Sequence, residues 1–257
     1  LGFPHADVVR NVRHFAPDLH VFTGDNIYER VADYGLQRSP LAAATLDYLR
    51  KWYLFGWEYR ALLRDTPAIC LADDHDVYQG NIWGAGGRHA TEYGKPGQDQ
   101  GGYTMLASWV NMVQRTQTSH LPDPHDPAPV AQGIGVYYSH LLYGGLSVAI
   151  IEDRKWKSSP TVQIPEAKIV NGWAQTPDYD AVSGGDVPGA QLLGPRQEQF
   201  LEEWAADWSG GTWMKVVASQ TIFANVATLP PPADPDDVTP RLRVMKPGEY
   251  AEGERPV

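Results

Sequence analysis

Two short apolar runs, each stopped by carboxylates, constrain this chain more than any other feature. The first reads Asp18-Leu-His-Val-Phe-Thr-Gly-Asp25-Asn-Ile-Tyr28-Glu29, the second Pro67-Ala-Ile-Cys-Leu-Ala-Asp73-Asp74-His75-Asp76. Each reads as a buried strand that ends abruptly at oxygen ligands, the place where open α/β sheets bind their ligands. Gly24 frees the backbone for a tight turn before Asp25. Asp73, Asp74 and Asp76 repel one another unless a cation or a basic side chain neutralises them. Taken alone, either cluster is equally a helix cap or a solvated turn. Taken together, they describe a hard-cation site with a proton donor, His75, beside it.

The 257 residues, 42% of them hydrophobic, allow one large domain or two small ones with a substantial core. A formal net charge of -10 argues against a general binder of nucleic-acid backbones, which needs a basic face, and suits a cation site. No apolar run approaches the ~20 residues of a membrane span. Cys70 is the single cysteine, so there is neither an internal disulfide nor a CxxC zinc set. Its place inside an apolar run marks it as core. The chain starts at Leu1 and closes on the polar Arg255-Pro-Val257. Both ends read as cut, so a leader is not legible.

Helical spacing of Val8, Val9, Val12 and Phe15 predicts a helix over 5–15. A strand follows at 19–22, then a long helix over 41–63 with a break at Gly56, stopped by Asp65-Thr-Pro67. The second strand covers 68–72. A further helix is expected over 103–119. Apolar runs at 136–142 and 146–151 flank Tyr143-Gly144-Gly145, a hairpin signal. Gly194-Pro195 opens a helix with Phe200, Leu201, Trp204 and Trp208 on its apolar positions, Pro195 suiting the first turn. A last strand spans 214–218. The Gly-rich 80–102, the Pro-rich 121–133 and the segment 158–194 read as loop inserts around a site. Alternating strands and helices with one hairpin predict an α/β fold with a mixed sheet.

Asp25 and Asp74 supply the carboxylates of the expected metal site, and Tyr28 lies one turn beyond Asp25. A phenolate ligand favours trivalent iron over calcium or magnesium. His75 can give a proton to a leaving oxygen. This set suits phosphoester hydrolysis by a metal-activated water. Arg154, at a strand end, is equally a phosphate ligand or a partner in a structural ion pair. Asn81 either lines the site or serves a turn. His89, His120, His125 and His140 read as solvated or structural. Two rivals come from other classes. One is a calcium- or carbohydrate-binding module using the aromatic-rich loops. The other is a metal-independent glycosidase with paired carboxylates.

Gly24-Asp25-Asn26-Ile27-Tyr28-Glu29 resembles the Gly-Asp-x-x-Tyr-Glu signature of the alkaline phosphatase D (PhoD-like) metallophosphatases. Asp73-Asp74-His75-Asp76-Val77 is similar to that family's Asp-Asp-His-Glu-Val. Glu152-Asp153-Arg154, Gly194-Pro-Arg-Gln-Glu-Gln-Phe-Leu201 and Trp213-Met-Lys-Val-Val-Ala-Ser-Gln220 follow in the family's order. The resemblance implies an αββα sandwich with mixed sheets, and places 1–257 as the central part of one catalytic domain, incomplete at both ends. It implies that Asp25 bridges the metals, that Tyr28 binds iron and that Asp74 binds a second site, calcium in this family. His75 becomes the acid, and Asp73 a further ligand or the partner of one. The implied cofactors are Fe3+ and Ca2+, with other divalent metals able to serve. The implied substrate is a small phosphate ester, and the implied location periplasmic or extracellular. Asp76 departs from the family's Glu. The iron-binding Cys before Gly-Asp and the closing Gly-Asp-x-His are absent, so weak metal binding and low activity are expected of this stretch by itself.

Overall fold

The computed structural model of the chain describes residues 5–29, 35–91, 95–170, 173–174, 176, 179–221, 228–229 and 255–256. Helix α1 covers Ala6–His14, strand β1 His20–Phe22, helix α2 Leu41–Leu63 and strand β2 Ala68–Cys70. These form a β-α-β unit. β1 and β2 pair in parallel, with Phe22 opposite Cys70, and parallel neighbours need such a crossover between them. The ladder gains one more rung where Leu71 N–H donates to the Phe22 carbonyl at 3.0 Å. The second strand is thus shorter than its apolar run, since Ala72 to Asp74 turn away into the site.

α2 is continuous through Gly56. A helical glycine costs about 1 kcal/mol relative to alanine. Flanking Phe55, Tyr59 and Leu62 are buried against Cys70, Val12 and Phe22, and burial of each large apolar side chain contributes about 1.5–3 kcal/mol. Packing therefore outweighs the local propensity that predicted a break.

Helix α3 spans Ala107–Thr118 and begins four residues later than its apolar spacing suggested. Tyr103 is committed elsewhere: its N–H donates to the Arg88 carbonyl and its carbonyl accepts from Ala90 N–H. α3 buries Trp109, Val110 and Val113 against Tyr48 of α2 and against Tyr78, Ile27 and Ile134.

The second sheet holds β3 (Ser139–Tyr143), β4 (Leu146–Ile150) and β5 (Met214–Ala218). β3 and β4 form the expected antiparallel hairpin, and β5 runs parallel to β4 on its other side. Helix α4, Pro195–Ala206, precedes β5, with Pro195 in its first turn as anticipated. Phe200 of α4 packs on Tyr138, Ala149 and Ile151. The two sheets share a core in which Ile69 and Leu71 meet Val148, Ile150 and Ala218. The fold is mixed α/β with small sheets, and the carboxyl ends of β1, β2, β4 and β5 carry the segments that build the site.

Candidate metal centre

After β1 the chain turns at Gly24, whose φ is +111°. A Cβ there would lie 2.4 Å from the Cβ of Asp73, so only glycine lets the two acidic segments touch. Asp25 itself takes the left-handed region, φ +52°, which aspartate tolerates better than most residues. After β2 a single turn of 3-10 helix, His75–Val77, orders the second motif. Tyr78 closes it in the left-handed region, φ 62°, with its N–H on the His75 carbonyl at 3.0 Å. A bulky residue held there is a strained position fixed by its surroundings.

Asp76 ties the two motifs together. Its carboxylate is fully buried. It accepts hydrogen bonds from the N–H of Asn26 (3.3 Å), Ile27 (3.0 Å) and Asp73 (2.9 Å), and from Gln117 Nε2 (2.9 Å). Burial pushes this carboxyl up to about 8, against the pull of the Asp73 N–H and Gln117. An unpaired buried donor costs about 1–3 kcal/mol, so one carboxylate stabilises both segments in one geometry.

The structure brings Asp25, Asp73 and Asp74 together. One carboxylate oxygen of each lies within 4.8 Å of the other two. Tyr28 joins them, its hydroxyl donating to Asp25 Oδ2 at 2.7 Å. Arg154, at the end of β4, answers part of the charge. Its Nε is 2.6 Å from Asp73 Oδ1, its Nη2 donates to Asp73 Oδ2 at 3.0 Å, and Nη2 is 3.9 Å from Asp74 Oδ1. Even so, burial and then the neighbouring Asp73 charge raise the Asp74 carboxyl to about 7. Burial also raises Asp73, with Arg154 opposing it. Arg154 is the cation paired directly with these carboxylates, and His75 and Lys157 add positive charge nearby.

His75 stands beside the cluster, its ring stacked on Tyr28 at 4.2 Å between centroids. Its Nδ1 is 2.7 Å from Glu29 Oε2. Burial alone would lower the imidazole; the Glu29 hydrogen bond and charge, then Asp74 and Asp25, raise it to about 9. The ring is thus held as a cation near neutral pH. Glu29 is part of the quoted signature, but its orienting role was not legible, because sequence does not reveal a contact across 46 positions. Asn81 sits in the Gly-rich loop, where its carbonyl accepts from Gln79 Nε2 at 3.3 Å.

The later motifs act as staples between strand ends. The Gln197 side-chain amide accepts from Glu152 N–H and donates to the Glu152 carbonyl, each at 2.8 Å. Glu152 also pairs with buried Lys155 at 2.7 Å. Gln220 donates to the Ala72 carbonyl at 3.1 Å and accepts from Asp153 N–H at 3.4 Å. Asp153, 2% exposed, accepts from Ser219 Oγ and Thr221 N–H through Oδ2 (both 2.8 Å). Its Oδ1 is buried with no hydrogen-bond partner. Cys70 lies in the core, its thiol pushed up to about 12 by burial and the Asp76 charge.

The donor chemistry fits a hard cation: close-set carboxylate oxygens, a phenol within the same hydrogen-bonded set, and excess negative charge. These features define an α/β protein with a cation-competent acidic centre at its parallel strand ends. The profile of the PhoD-like phosphatases matches residues 2–246, and the chain belongs to that family. The solved structure of PhoD is similar over 86% of this chain, with a TM-score of 0.57 and 19% sequence identity. At that identity the likeness carries the fold alone. The match covers 40% of the PhoD chain, so this chain spans about two fifths of that protein's length. No curated protein matched the chain.

Proposed function

We propose that the protein is a metal-dependent phosphoester hydrolase of the alkaline phosphatase and phosphodiesterase type, acting on small phosphate esters. The observation that carries this reading is the meeting of Asp25, Asp73 and Asp74 within 4.8 Å beside a histidine held by Glu29 at 2.7 Å. Asp25, Asp73, Asp74 and Tyr28 would hold the metal. Family membership favours Fe3+ with Ca2+, and other divalent ions suit the same oxygens. The αββα sandwich, with 1–257 as the central part of one catalytic domain, is part of the same proposal.

A bound cation supplies Lewis-acid polarisation of a phosphoryl oxygen and of water. The chain's own residues do the rest. Glu29 occupies Nδ1 of His75 and so leaves Nε2 as the nitrogen for the leaving oxygen. The raised affinity for a proton keeps that nitrogen protonated at neutral pH, the state a general acid needs. Arg154, fixed by Asp73, offers a guanidinium matched to phosphate oxygens, and Asn81 a neutral donor from the Gly-rich loop.

The test is metal affinity against pH. The Asp74 carboxyl, raised to about 7, is protonated below that pH and must lose its proton to ligate. Calorimetric affinity for Ca2+ is therefore expected to rise as pH increases from 6 to 8, with proton release that shrinks over the same window. Asp74→Asn should flatten this dependence. Affinity that stays level, or falls, as pH rises through 7 would contradict the assignment.

A further inference from the structure

Lys51, in the middle of α2, is 1% exposed, yet it carries a charge. Its Nζ donates to the Glu29 carbonyl at 2.6 Å, to the Gly35 carbonyl at 3.1 Å and to Asp47 Oδ2 at 2.8 Å. The three ammonium hydrogens point among these acceptors and the Tyr78 hydroxyl, which lies at 3.4 Å. Two of these are backbone carbonyls, so one side chain holds Glu29 and Gly35 together. Asp47, one turn earlier on α2, extends the grip. Its Oδ2 also accepts from the Tyr78 hydroxyl at 2.8 Å and from Gln37 N–H at 3.3 Å. Tyr78 is the residue that closes the turn bearing His75.

Helix α2 therefore holds both partners of the Glu29–His75 bond, Glu29 through Lys51 and the His75 turn through Tyr78 and Asp47. A buried ion pair is a poor way to stabilise a fold, because desolvation of both charges offsets most of their attraction. Apolar side chains would fill the same space at lower cost. What an ammonium adds is direction: it fixes two carbonyls that an apolar side chain would leave loose. Small displacements of a proton donor cost rate steeply, about 10²-fold for ~1 Å.

We propose that the buried Asp47–Lys51 pair is a positioning device that sets the Glu29–His75 hydrogen bond from helix α2. The proposal rests on the acid role given to His75 above. Lys51→Met alone would strand the Asp47 carboxylate, so the second variant is D47N/K51M, which removes both charges and keeps a side chain able to bond Tyr78 and Gln37. Two readouts decide it. The first is the hydrogen-bonded imidazole N–H resonance of His75, assigned by its loss in His75→Ala. It should be present in the wild type and lost in D47N/K51M, while the remaining amide spectrum persists. The second is kinetic, on a simple alkyl phosphate monoester and diester, whose leaving oxygen needs the proton most. D47N/K51M should lower kcat about 10–100-fold with KM nearly unchanged, and should lower it no further in a His75→Ala background. A resonance absent from the wild type, or unaltered in D47N/K51M, overturns the proposal. So does an equal loss of kcat in both backgrounds. Failure of both variants to fold also overturns it, since the pair would then hold the domain and not the histidine. If the wild type hydrolyses neither ester, the proposed function fails, and the resonance still decides the role of Lys51.

Discussion

Asp25→Ala is expected to strip the protein of metal and to lower phosphoester hydrolysis by more than about 10²-fold, the upper figure for removing an outer partner of a metal ligand. Asp25 occupies the centre of the arrangement. Its Oδ2 accepts from the Tyr28 hydroxyl at 2.7 Å, and its Oδ1 faces the His75 N–H at 3.4 Å. In the proposed site, removal would take away one ligand and the hydrogen-bond anchor of another, Tyr28. Metal content by mass spectrometry, read beside activity, separates this from a general loss of fold. Retention of stoichiometric metal in a folded Asp25→Ala protein would remove Asp25 from the ligand set.

His75→Ala should behave in the opposite sense, keeping its metal and losing rate. A positioned proton donor contributes about 10²–10⁴-fold. The loss should fall on kcat, because an imidazole in the proposed acid role would act on the leaving oxygen as the bond breaks and not on the bound ester. It should also depend on the leaving group. Esters of acidic phenols, which need little protonation, should lose less than alkyl esters. Equal losses on both kinds of ester would place His75 in binding or support and not in proton transfer.

The strands that carry the acids were legible because each is a short apolar run with a break at its end. Gly24 was legible as a turn. Its deeper reason is contact with Asp73 across the site, which only coordinates reveal. β5 and the turn-side ends of the hairpin followed from the same apolar runs, while β3 starts at Ser139, three residues after its run begins. α3 was misplaced by one turn, since Tyr103 and Met105 continue the helical spacing while the Tyr103 backbone is used by residues 88 and 90. Gly56 misled for a related reason: helix propensity is local, and the burial that overrides it is not.

The buried polar residues were the least legible. Asp76, Gln117, Gln197 and Gln220 look like surface residues in a sequence, where such types are mostly exposed. Their role appears only when partners 41 to 148 positions away are placed beside them. Lys51 and Glu29 belong to the same group. A charged side chain inside a helix reads as its solvated face, and nothing local marks Lys51 as the partner of the Glu29 and Gly35 carbonyls.

In the proposed mechanism, hydrolysis depends on a cation held by these carboxylates. The most direct test is to measure phosphoester hydrolysis and bound metal in the protein as purified, after exhaustive chelation, and after return of Fe3+ and Ca2+. Chelation is expected to remove metal and activity together, return of the ions to restore both, and Asp74→Ala to recover neither. Undiminished hydrolysis by the metal-free protein would contradict it.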